Sequence, residues 1–109
     1  MTRPDVLAWL QSRRPAPPPA LATKLAECLD AEPAGAFAGR SLAEAVGELG
    51  VATLRAVVSR QSLAYDTAMD LLAADAFVTY AFEAAAEEGG DLPGLARRLL
   101  EAVGRGEAT

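Results

Sequence analysis

Residues 69–87 read MDLLAADAFVTYAFEAAAE, and the fold turns on how that stretch is read. Nothing in it alternates with a period of two over β-branched residues, so a strand is a poor fit. At about 100° per residue, three apolar stripes emerge instead. Met69, Leu72, Ala76 and Tyr80 form one; Ala74, Phe77, Ala81 and Ala84 form a second; Leu71, Val78, Phe82 and Ala85 form a third. A helix that is apolar on every side belongs inside a bundle. The spacing therefore predicts a central helix over about 64–88, buried all round. It begins between Ser62 and Asp66 and is stopped by Gly89-Gly90.

The flanking segments supply its neighbours. Ser41 and Glu44 make a capping box for a helix to about Arg60 carrying Leu42, Val46, Leu49, Val51, Leu54, Val57 and Val58. Gly47 and Gly50 lie inside that helix, where each costs about 1 kcal/mol against Ala. Either the helix breaks at Gly50 or the pair lets another backbone approach closely; a continuous helix with a close crossing is expected. The short connection makes this helix an antiparallel neighbour of the central one. Downstream, Asp91 caps a last helix with Pro93 in its first turn. Leu92, Leu95, Leu99 and Val103 face inward on it, Arg97, Arg98 and Glu101 face outward, and residues 104–109 form a frayed tail.

Upstream, Leu21, Leu25, Cys28 and Leu29 share one face of a helix over about 19–29. Pro33, Gly35 and Gly39 mark a loop that Phe37 anchors to the core. Residues 1–14 form an amphipathic helix with a Thr2–Asp5 capping box, and Val6, Trp9 and Leu10 lie on one face. It sits on a proline-rich hinge at 15–19. The expected architecture is all-α, a single domain over 1–109, with four to five helices bundled around the central hydrophobic one.

Composition narrows the chemistry. The 109 residues include no His, Ile or Asn, and one Cys. Without histidine there is no imidazole base, metal ligand or pH switch. A single Cys28 excludes an intrachain disulfide and a cysteine zinc site. Cys28 falls on an apolar stripe and reads as a buried structural thiol. Ser12, Ser41, Ser59 and Ser62 lack any nucleophile motif. No cofactor is expected, because no phosphate-binding glycine loop occurs.

Fifteen acids against ten bases leave a net charge of −5, which disfavours nucleic acid and anionic lipid as partners. No run is apolar and long enough to suggest a membrane span, no signal peptide is visible, and a cytoplasmic location is expected. Abundant Ala and Gly, with nine Arg to one Lys, suit a GC-rich bacterial coding sequence. The apolar fraction is 51%, but 25 of those residues are Ala. Large core side chains are therefore scarce, and association into a homodimer, or with another protein, would relieve the shortage.

Several polar constellations stand out. Asp75, Thr79, Glu83 and Glu87 are spaced by four, so they form one seam drifting about 40° per step. The seam is expected as the solvent-facing or Arg-paired edge of the helix, with an interaction surface or a divalent-cation site as the alternatives. Asp75 sits among Ala73, Ala74, Ala76 and Phe77, and a buried carboxylate there needs a partner, for which Arg55 and Arg97 are candidates. Asp66 and Asp70 form a shorter acidic pair. Trp9, Arg13 and Arg14 make a candidate docking arm on the hinge. Phe77, Tyr80 and Phe82 are candidates to line an apolar pocket.

The 69–87 stretch also resembles one helix of the trans-isoprenyl diphosphate synthases, which reads roughly L-A-G-D-A-L-L-T-x-A-F-E. Leu72, Ala74, Asp75, Ala76, Thr79, Ala81, Phe82 and Glu83 carry the match. It covers about one helix. Those enzymes hold magnesium and diphosphate with D-D-x-x-D motifs, and this chain has none. Neither their activity nor any functional residue is carried over.

Three function classes follow. The first is a non-catalytic helical protein–protein interaction or accessory protein that self-associates. The second is a binder of an apolar small molecule, lipid-like or isoprenoid-like, between helices. The third is an enzyme working with carboxylates and magnesium through Asp66 and Asp70; with no motif that identifies a reaction, it ranks last.

Overall fold

The computed structural model describes residues 1–60 and 65–108, with side chains through Arg105. The proposed start of the central helix between Ser62 and Ala64 lies outside them. Among the described residues the chain forms five helices and no strand: α1 (Arg3–Gln11), α2 (Pro19–Asp30), α3 (Leu42–Arg60), α4 (Tyr65–Glu87) and α5 (Leu92–Ala108). The radius of gyration, 13.3 Å, is that of a compact chain of about this length.

Local signals set the helix ends. Thr2 caps α1 reciprocally with Asp5, and Ser41 does the same with Glu44 at 3.1 Å in each direction. At the end of α4, Gly89 adopts φ +68° and the Gly90 amide bonds back to the Ala85 carbonyl at 2.7 Å. That left-handed residue is where a glycine is needed. Asp91 then accepts the Gly94 amide at 3.0 Å and opens α5. Two expected boundaries move. α1 ends at Gln11 with Ser12 as its C-cap, so Arg13 and Arg14 lie beyond the helix rather than within a helix to residue 14. At the other terminus α5 stays helical past Gly104 to Ala108.

The dominant packing is α3 against α4. A Cβ placed on Gly50 would lie 2.9 Å from Val78 Cγ2, 3.2 Å from Phe77 Cβ and 3.3 Å from the Ala74 carbonyl oxygen. On Gly47 it would lie 2.9 Å from Leu99 Cδ2 and 3.5 Å from Ala81 Cβ. As α3 advances from 47 to 50, its neighbours on α4 retreat from 81 towards 74, which is an antiparallel crossing. The glycines thus let two helices approach closer than side chains would allow, with α5 laid over the same crossing. Around it, Val6, Leu25, Leu29, Phe37, Val46, Leu49, Phe77 and Leu95 fill the core.

The central helix is not enclosed on every side. Its Ala74–Phe77–Ala81–Ala84 stripe is buried, but Leu71 and Leu72 are 50% and 53% exposed, and Asp75, Thr79 and Glu83 face outward. The other helices cover α4 on one side, leaving this strip open. The open strip is the one that carries Asp75, Thr79 and Glu83 of the polar seam, with Leu71 and Leu72 beside them.

Candidate functional site

The uncovered strip borders a groove of about 450 Å³ between three helices. Its floor is α3, through Gly50, Val51 and Leu54. One wall is α4, with Leu71, Asp75, Val78 and Phe82 at positions i, i+4, i+7 and i+11. The other wall is α5, with Ala96, Leu99, Leu100 and Val103 at i, i+3, i+4 and i+7. These are the spacings by which a helix meets a neighbouring helix, and here three such stripes converge. α5 leans onto α3, where the Arg55 guanidinium donates to the Ala102 carbonyl, and so diverges from α4. At the rim Leu100 is 73% exposed.

The three aromatic candidates for an apolar pocket do not share one. Phe77 is fully buried against α3, Tyr80 packs edge-on to Trp9 with ring centroids 6.3 Å apart, and only Phe82 lines the groove. Phe82 lies about 140° round the helix from Phe77 and about 160° from Tyr80, so one cavity cannot hold all three. Leu54, Leu99 and Leu100 do the lining instead. Leu100 was the available signal, since it stands beside Leu99 but off the inward face of α5.

The acidic seam is also divided. Over its twelve residues it drifts about 120°, enough to deliver its ends to different neighbours. Asp75 stands at the mouth of the groove. It is exposed and forms no ion pair among the described residues, so the expected internal pair with Arg55 or Arg97 does not form. Thr79 and Glu83 follow it on the surface. Glu87 reaches α1: Trp9 Nε1–H donates to its Oε1 at 3.1 Å and Arg13 Nη1 to its Oε2 at 2.6 Å. Arg13 also lies over the Trp9 ring, 3.9 Å from the centroid. The Arg13 and Trp9 hydrogen bonds hold the Glu87 carboxyl below its ordinary range. Arg14 takes no part; its guanidinium turns back onto the Gln11 and Arg13 carbonyls.

The internal ion pair belongs to Asp70, five residues before Asp75. Asp70 is 6% exposed, receiving Lys24 Nζ of α2 at 3.1 Å and the Arg60 guanidinium of α3. Burial pushes its carboxyl up, but hydrogen bonds and charge from Arg60 and Lys24 outweigh that, and it sits below its ordinary value. The Asp70 hydrogen bond raises Lys24 in turn. Both Asp70 oxygens are thus occupied by cations, and Asp66 is exposed. Among the described residues no three His, Cys, Asp or Glu side chains converge as a metal site.

Cys28 is half-buried near this cluster, and burial pushes its thiol up, against a smaller opposing effect of the Thr53 hydroxyl. That favours the thiol over the nucleophilic thiolate. No helix among the described residues is long and apolar enough to cross a membrane. No protein-family model, curated protein or solved structure matches the chain, so the one-helix resemblance to isoprenyl diphosphate synthases gains no support.

Proposed function

We propose that this chain is a non-catalytic helical association protein that self-associates through the open α3–α4–α5 face. The observation that carries the reading is the groove itself, an apolar channel with helix-contact spacing on all three sides and large leucines on its rims. Leu71 and Leu100 sit on the channel walls yet are largely exposed, and Leu72 stands beside them, so a ligand confined within would leave much of them in water. A protein surface laid across the face removes them from water, at roughly 25 cal/mol per Å² of apolar area. The Asp70 and Glu87 clusters are already paired internally, which supports a structural role for them rather than a catalytic one.

Light scattering on the purified chain at tens of micromolar is the test. A mass twice the 11.3 kDa of one chain is expected. Leu71→Glu, which places a charge on an already half-exposed site, should return the monomer mass with unchanged helicity by circular dichroism. A monomer mass for the unaltered chain across that range overturns self-association.

One observation favours a second reading. The groove volume of about 450 Å³ lies within the roughly 300–1,000 Å³ of small-molecule sites. An apolar molecule released on denaturing freshly purified protein, detected by mass spectrometry at one per chain, would support that reading.

A further inference from the structure

The exposed side of α5 is complementary to itself. Ala96, Leu100 and Gly104 are spaced by four, so they run along one line of the helix, with the small residues placed symmetrically about Leu100. Leu100 is the most exposed large apolar side chain among the described residues, and a Cβ on Gly104 would meet nothing within 4 Å. Beside the line lie Arg97 and Glu101, both exposed and without an ion pair among the described residues. Reversed about Leu100, the pattern brings each Glu101 within two positions of a second copy's Arg97, so that opposite charges become neighbours.

The geometry points to a two-fold dimer in which α5 lies antiparallel against α5 of a second copy, centred on Leu100. This rests on the self-association proposed above and names the element that performs it. Antiparallel pairing about Leu100 sets each Ala96 opposite the partner's Gly104, so the backbones can close in around the central leucines. Each Leu100 then enters the mouth of the other copy's groove, beside Leu99 and Val103. Arg97 and the partner's Glu101 fall about 3 Å apart along the axis at a rise of about 1.5 Å per residue. The two-fold makes that contact twice, as an isologous interface must. A copy docked parallel would set Arg97 beside the partner's Arg97, which is repulsive.

The test exchanges the charges one chain at a time. Arg97→Glu and Glu101→Arg each convert both contacts into like-charge pairs at exposed positions, so each variant should keep its helicity. Sedimentation equilibrium should show each weakened about ten-fold in self-association. Mixing equal amounts of the two variants restores opposite charges at both contacts, and the mixture should associate as tightly as the unaltered chain. An interaction within one helix gives no such recovery. If the unaltered chain dimerises but neither variant weakens it, or the mixture is no tighter than its components, the α5 pairing is wrong while self-association stands. A monomeric unaltered chain removes both.

Discussion

The two sides of α4 differ in composition and in fate. On one side Ala74, Phe77, Ala81 and Ala84 press against α3, and Gly50 removes a side chain to let them. On the other, Leu71 and Leu72 stand half in water with Asp75, Thr79 and Glu83. The buried side is made of small residues around one large ring, and the open side carries the two leucines. The size of the leucines alone would have ranked the sides the other way, although Asp75, Thr79 and Glu83 make the open side the more polar. Close approach decided it, because a dense contact between backbones gains dispersion from many atoms that two leucines on a looser contact would not reach.

The contrast is broken most severely at its centre. Phe77→Ala empties a fully enclosed site and should cost about 3–5 kcal/mol, read as a lowered midpoint in urea. An effect under about 1 kcal/mol would show that the α3–α4 contact is loose.

Asp70→Ala comes next. It strands Lys24 and Arg60 beside a hole, but Arg60 is 43% exposed and can rehydrate. The loss should be about 2 kcal/mol, below the ~3–5 of a fully enclosed pair. The same pair predicts a pH dependence. The carboxyl is held below its ordinary 3.8, so the unfolded chain binds more protons around that pH and stability rises with pH there. The contribution is complete above about pH 5 and is lost as acid titrates the native carboxyl. Urea midpoints of the unaltered chain and Asp70→Ala should therefore converge below pH 4, and parallel curves down to pH 2 would contradict the pairing.

Gly50→Ala sharpens the comparison at the crossing. Helix propensity favours the change by about 1 kcal/mol, whereas the new Cβ meets a carbonyl oxygen and two packed side chains of α4. A net loss of about 1 kcal/mol in thermal stability is expected, and a gain would mean the two helices are free to separate. Smallest is Asp75→Ala, which should change stability by less than about 0.5 kcal/mol, because the carboxylate is exposed and without an ion-pair partner. A loss matching that of Asp70→Ala would show that the open side of α4 is in fact covered.

The two aspartates also show how far the residues could be read in advance. Asp75, ringed by Ala and Phe in sequence, was the one expected to be internal, yet it is Asp70 that is enclosed. Five residues turn the helix by about 140°, and the seam that Asp75 shares with Thr79 and Glu83 was the local sign that it faces outward. Trp9 and Arg13 were legible as an arm, and Glu87 as part of a seam. Their meeting was not, since it joins residues more than seventy positions apart. The groove was hidden for the same reason. Its floor, Val51 and Leu54, belongs to an apolar face that a covered helix would carry equally well.

What the residues settled unaided is short-range. The capping pairs Thr2–Asp5 and Ser41–Glu44, the glycine stop at 89, the Asp91 start and the helical period all act within a turn or two of chain, where dihedral preference and one or two hydrogen bonds suffice. Even Gly47 and Gly50 announced a close crossing, because their cost within a helix requires compensation. The tertiary structure alone decided that Leu71 and Leu72 stay in water beside the acidic seam, which aspartate meets two cations, and where α5 parts from α4 to leave a groove. Each of those depends on distances between segments far apart in sequence, and an apolar, alanine-rich helix offers several facings that local preference cannot separate.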